Sequence, residues 1–265
     1  MNYDPRVRTK KVDHMTAAST VKNSVRALLS GAVDYAGLFP PAGLSMSEAV
    51  INYATYRGSN YSWMLGRFIV ASARLPEFYE SARELAPRDA DNSWRISVVV
   101  GEGVIEAIHA IKDFNAASGP GIVCDTIEIK PETAGDIENA AASLPGEVTA
   151  YFEVPLDDRM PDLIATLALS GQRAKIRTGG VTPEAFPKSI EIIRFVRTCL
   201  AANVRFKATA GLHHPFRQQR DEHLGGRRLA VGARDHDHPA RERADARGLG
   251  EPARAGARRI RRSLR

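Results

Sequence analysis

Four short segments place cations and carboxylates at two-residue spacing: Thr126-Ile-Glu128-Ile-Lys130, Tyr151-Phe-Glu153-Val, Lys175-Ile-Arg177 and Arg205-Phe-Lys207-Ala-Thr209. A lysine adds to a carbonyl to give an imine only as the free amine, and a nearby cation lowers its pKa by disfavouring the ammonium. Lys175 has Arg177 two residues on and Lys207 in the next such segment, which makes Lys175 the candidate nucleophile. Glu128, placed across from it, or Glu153 is of the type that moves a proton as a carbon–carbon bond is made or broken, provided burial brings its pKa toward neutrality. Gly179, Gly180 and Gly211 let backbone amides approach an anionic substrate group, or simply make tight turns. A second chemistry uses Glu128, Glu153, His213, His214 and Asp34 to hold a divalent metal that stabilises an enolate. Adjacent histidines point apart in an extended segment, however, and several cations in one place repel a metal. The imine chemistry needs no cofactor.

These residues must be carried by something regular. Short β-branched runs begin near Val33, Arg67, Ile96, Thr126, Ala150, Ala174 and Val204, 24 to 34 residues apart, and each gap holds a helical pattern. Alternating strand and helix predicts a parallel sheet with crossover helices. Ser45 and Glu48 read as a capping box, Thr182-Pro183 as a helix start, and Ile190, Ile193, Val196 and Leu200 as one apolar face. The charges within the strands decide between sheet types. Sandwiched between two helix layers they would cost several kcal/mol each unless paired. A (β/α)8 TIM barrel turns the apolar positions toward the helices and lets Glu128, Lys130, Glu153, Lys175, Arg177 and Lys207 converge inside, near the C-terminal mouth. A self-neutralising ion network filling the barrel is the structural alternative. Seven units are legible; the eighth should start near residue 231, where only Leu229-Ala-Val231-Gly-Ala233 is available, so the barrel is expected to be incomplete at its eighth βα unit.

Several motifs together resemble the class I aldolases of the deoxyribose-phosphate aldolase type. Val33-Asp34-Tyr35-Ala36-Gly37-Leu38-Phe39-Pro40-Pro41-Ala42 is similar to that family's opening Asp-x-Thr-x-Leu-x-Pro-x-Ala signature, and Val98-Val-Val100-Gly101 to its Val-Val-Gly strand. Asp125-Thr-Ile-Glu128 resembles its strand ending in a catalytic Asp, Tyr151-Phe-Glu153 its strand carrying a Glu, and Lys175-Ile-Arg-Thr178-Gly179 its Lys-x-x-Thr-Gly around the Schiff-base lysine. Lys207-Ala-Thr-Ala-Gly211 resembles the strand with its second lysine. The resemblance spans roughly residues 32 to 212. It implies a lyase with Lys175, Lys207, Glu128, Glu153 and Asp34 as catalytic groups. The residues expected around the substrate are Arg177, Thr178, Gly179, Gly180, Lys130, Gly211, His213 and His214. Ala36 and Glu128 depart from the family pattern and its phosphate loop has no counterpart, so the implied substrate is a small anionic carbonyl compound other than deoxyribose phosphate. The Gly211-Leu-His213-His214-Pro215 segment resembles a bacterial group of barrel proteins of uncharacterised activity.

Composition bounds the rest. The chain of 265 residues, 43% hydrophobic, can bury a proper core and is neither a disulfide miniature nor mostly disordered. No apolar run approaches the roughly 20 residues that span a bilayer, so a soluble protein without a membrane partner is expected. Residues 1–15 are polar and charged, read as a flexible arm rather than a secretory signal. The formal charge of +6 is local: residues 217–265 hold 14 Arg against 7 acids, leaving 23 basic and 24 acidic residues in the preceding part. This tail has no Phe, Tyr, Trp, Met, Cys, Asn or Thr, and is expected to be poorly ordered. Residue types with AT-rich codons vanish together there, which favours a GC-rich gene read out of frame, or a truncated C-terminus, over a nucleic-acid-binding arm. No specific nucleic-acid binding is expected; a homo-oligomer remains compatible with the sequence. The barrel domain is set at residues 16–216. Cys124 and Cys199, in a strand and a helix, fit reduced core thiols in the cytoplasm. Beside the lyase and metal readings stands a third: a truncated, inactive barrel or basic-tailed binding protein.

Overall fold

The computed structural model describes residues 21–211. Seven parallel strands form one sheet in sequence order: β1 (Val33–Tyr35), β2 (Leu65–Ala71), β3 (Trp94–Val99), β4 (Ile122–Ile129), β5 (Thr149–Glu153), β6 (Arg173–Arg177) and β7 (Phe206–Thr209). Helices α1 (Asn23–Leu29) and α2 (Met46–Arg57) flank β1, and α3 (Leu75–Ala82), α4 (Val104–Ala117), α5 (Ala134–Ser143), α6 (Met160–Leu169) and α7 (Ser189–Ala201) follow β2 to β6 in turn. The order and starting points expected from the β-branched runs are those observed, within a few residues. Among the described residues no helix is long and apolar enough to cross a membrane.

The sheet curls through 269°. A single distance makes the curl concrete. β1 and β7 are the two edges of the sheet, six strand spacings apart, which in a flat sheet is roughly 29 Å. Yet Lys207 on β7 places its Nζ 3.1 Å from Oδ2 of Asp34 on β1. The other oxygen of Asp34 accepts a bond from the backbone N–H of Arg67 at 2.8 Å, so one carboxylate ties both edges of the curl.

Period-two alternation creates the two surfaces. Phe68, Val70, Ile96, Val98, Ile127, Phe152, Ala174 and Ile176 are buried and turned toward the helices. They meet a stripe from each helix, such as Val50 and Tyr53 of α2, Ile108 and Ile111 of α4, and Ile164 and Leu167 of α6. Tyr53, Phe68, Phe78 and Trp94 pack edge-on or tilted with centroids 4.8 to 5.4 Å apart, and the Tyr53 hydroxyl donates to the Gly66 carbonyl at 2.9 Å. The intervening strand positions carry the charged residues on the concave face.

Local signals fare unevenly. Ser45 and Glu48 form the expected capping box, and Thr133 with Asp136 forms a second. Thr182-Pro183 does not open α7: Pro183–Ala185 is a single 3-10 turn, and the helix begins at Ser189, after a second proline, with the Glu191 carboxylate accepting from the Lys188 N–H. Its buried face is Phe195 and Cys199 with half-buried Ile192 and Val196, whereas Ile190, Ile193 and Leu200 are exposed. The buried stripe, Ile192, Phe195, Val196 and Cys199, has i, i+3, i+4, i+7 spacing and shares only Val196 with the face read from the sequence. The proposed arm at residues 1–15, the tail from 217, and the Leu229–Ala233 segment lie outside the described residues.

Candidate active site

The concave face collects one residue from each of several strands. Alternation in β6, with Ala174 and Ile176 facing the helices, points Lys175 inward; in β5, Phe152 does the same for Glu153. Register sets them side by side, with Glu153 opposite Lys175 and Lys175 opposite Lys207. The Lys175 ammonium lies 2.7 Å from Oε2 of Glu153 and 2.8 Å from Oε2 of Glu128. The other Glu128 oxygen takes Lys207 Nζ at 2.6 Å and the Ser97 hydroxyl at 2.7 Å. Lys207 is also bound by Asp34 and sits 4.7 Å from the centre of the Tyr151 ring. The result is a chain: Glu153, Lys175, Glu128, Lys207, Asp34.

Burial grades this chain. Glu128 is 4% exposed and Lys175 7%, whereas Glu153 and Lys207 are 20% and 19% exposed and Asp34 26%. Burial opposes the Glu128 charge, but Lys175 and Lys207 outweigh it and bring its carboxyl down to about 2. Burial also opposes the charge on Lys175, and there Glu128 and Glu153 prevail, holding the ammonium above its ordinary value. This corrects the expectation that Arg177 and Lys207 depress the Lys175 pKa. Two carboxylates lie at hydrogen-bond distance from Lys175, while Arg177 is exposed and donates its Nε–H to the Gly179 carbonyl at 3.1 Å. Glu128 likewise departs from the near-neutral carboxyl expected of it, because both its oxygens face ammonium groups.

The remaining residues sort by position. Lys130 lies one residue past β4 and is exposed, outside the cluster, because the strand and its alternation end at Ile129. Thr178 turns its hydroxyl to the carbonyls of Thr209 and Ala210, tying the end of β6 to the end of β7. Gly179 and Gly211 cross there: a Cβ on Gly179 would sit 2.6 Å from the Gly211 Cα, and Gly211 has φ +70°, so their glycine identity is fixed by this close approach. At Gly180 a Cβ would meet that of Ala185 at 2.5 Å. His213 and His214 lie outside the described residues. Among the described residues no group of three or more His, Cys, Asp and Glu side chains is arranged to hold a metal ion, and Asp34, Glu128 and Glu153 each bind a lysine ammonium where that chemistry would need a metal. Cys124 and Cys199 are free and buried, and burial pushes the Cys199 thiol up to about 11.

Sequence reasoning passed over Ser97, Arg67, Arg95 and Arg173. Nearer the amino ends of the strands, Arg67 grips Asp125 with two bonds of 2.6 and 3.0 Å, Arg95 adds a third at 3.2 Å, and Arg173 donates to the Tyr151 hydroxyl at 3.1 Å. The signal was present: Arg95 and Ser97 have the same two-residue spacing as the other charged pairs.

Comparison with protein-family models, curated proteins and solved structures returns no match to this chain.

Proposed function

We propose that this chain is an incomplete (β/α)8 barrel of the class I aldolase kind, a carbon–carbon lyase whose Lys175 forms a Schiff base with a small anionic carbonyl compound. The observation that carries the reading is a buried lysine between two carboxylates, one of which it shares with a second lysine, on the concave face of a curled parallel sheet. The resemblance to deoxyribose-phosphate aldolases adds to it, since Asp34, Glu128, Glu153, Lys175 and Lys207, the residues it implies as catalytic, are the ones in the chain of contacts.

Each group has a role in this scheme. Lys175 rests as an ammonium and becomes a nucleophile when a carboxylate takes its proton. Lys207, held by Asp34, Glu128 and the Tyr151 ring, remains a cation and stabilises negative charge as the carbonyl oxygen or an adjacent carbanion develops it. Arg177 at the open end supports an anionic substrate group. The buried free thiols fit a reducing, cytoplasmic setting. Reduction with borohydride in the presence of pyruvate, glyoxylate or acetaldehyde, followed by peptide mass mapping, tests the proposal. A stable adduct on Lys175, absent in Lys175→Met, is expected. An unmodified Lys175 together with turnover abolished by a chelator overturns it in favour of metal chemistry.

A further inference from the structure

We propose that Glu153, and not Glu128, is the general base and acid that carries protons for Lys175. The inference rests on the imine reading and assigns a task which that reading leaves open between two carboxylates.

Both are within reach of the lysine, but their surroundings divide them. Glu128 is saturated: Ser97 and Lys207 occupy one oxygen, Lys175 the other, and 4% exposure leaves it no route to solvent. A proton placed on it would weaken its bonds to both ammonium partners, the buried Lys175 and the half-buried Lys207. Glu153 is the last residue of β5, is 20% exposed, and among the described residues has Lys175 as its charged partner within 4 Å. Protonating Glu153 leaves Glu128 still bound to both lysines. The Ser97 hydroxyl therefore acts as a positioning group, holding Glu128 as a fixed counter-ion.

The proton steps balance with Glu153 alone. Its carboxylate takes one proton from the Lys175 ammonium. The free amine attacks the carbonyl carbon, the carbon–nitrogen bond forms, and the carbonyl π pair moves onto oxygen. Glu153 gives its proton to that oxygen and takes one from the nitrogen, leaving a neutral carbinolamine. It then protonates the hydroxyl, water departs, and the nitrogen lone pair closes the protonated imine while Glu153 returns to carboxylate.

The test follows the rate at which pyruvate and cyanoborohydride label Lys175 at neutral pH, read by peptide mass mapping on full-length protein whose folding is checked by circular dichroism. Glu153→Gln is expected to slow labelling roughly 100-fold, the ordinary scale of a lost general base, with formate restoring part of the rate. Glu153→Asp, displaced by one methylene, is expected to be about tenfold slow. A carboxylate that merely stabilises the ammonium gives the opposite sign, because its removal frees the amine. Labelling of Glu153→Gln as fast as wild type or faster overturns the inference, and the same result in Glu153→Asp does so should the Gln variant not fold. Failure of wild type to label at Lys175 refutes the imine reading itself, which keeps the two failures apart.

Discussion

Two ionic clusters share the concave face, and they are built from different cations. Nearer the amino ends, Asp125 is gripped by Arg67 and Arg95, side chains 32% and 52% exposed. Toward the carboxyl ends, Glu128 is held by Lys175 and Lys207, 7% and 19% exposed. A guanidinium keeps its charge at any accessible pH and fixes a carboxylate by planar, two-pronged bonds; an ammonium can give up a proton and become a nucleophile. The arginine cluster is thus suited to hold the curl, and the lysine cluster to hold it and, in the proposed function, to react. Burial sharpens the contrast, since the lysine cluster is the drier one and each charge there depends on its neighbours.

Glu128→Gln breaks the dependence most directly. It leaves Lys175 with Glu153 and Lys207 with Asp34, but removes the carboxylate that serves both. Breaking a buried ion pair by deleting one partner costs about 3–5 kcal/mol, and the lower end is expected here because each ammonium keeps one carboxylate. Urea unfolding measures it. A loss below about 1 kcal/mol, the scale of exposed pairs, would mean that the drier cluster has no special hold on the fold.

Titration probes the same group without mutation. The Glu128 carboxyl is lowered from 4.5 to about 2 in the folded chain. Its contribution is therefore fully present above pH 4.5 and is lost as the pH falls toward 2, on the order of 3 kcal/mol over that window. The Lys175 ammonium is raised, so its contribution is full below its ordinary value and fades only as alkali passes the raised one. Urea unfolding followed from pH 5 downward should show the acid loss in wild type and a smaller one in Glu128→Gln. Equal slopes would place the acid-sensitive charge elsewhere.

Which parts of this were legible in sequence follows from what each signal depends on. The strands were legible because alternation is a property of consecutive residues: Ala174-Lys175-Ile176 already states which side chains face the helices. That Lys175 and Glu153 share the concave face followed from the same alternation, whereas their direct pairing is set by the register between β5 and β6. The sign of the Lys175 pKa shift was not legible, because it depends on Glu128 reaching across the curl from two strands away, and spacing along the chain says nothing of that reach. Ser97 was legible as a residue of the concave face from its spacing to Arg95, but not as a partner of Glu128, which lies on the next strand. The face of α7 was misread because the helix carries two overlapping apolar stripes that share Val196, and only packing against the sheet shows that Ile192, Phe195, Val196 and Cys199 form the buried one.

Asp125→Asn gives the smallest expected effect and bears hardest on the contrast. The variant keeps an oxygen for the Arg67 Nε–H, bonded at 2.6 Å in the native chain, but loses the negative charge shared with Arg95. Both arginines have partial access to water and recover hydration when the pair weakens, so a cost of about 1 kcal/mol is expected in urea unfolding, the scale of an exposed ion pair. Trapping of a carbonyl probe on Lys175 should be unchanged, since the contacts of Lys175 run through Glu128 and Glu153 and not through Asp125. A cost equal to that of Glu128→Gln would make the arginine cluster the principal ionic hold on the fold. A change in Lys175 trapping at constant stability would show instead that the two clusters act as one network, and that the arginines help to set the charge of the lysine.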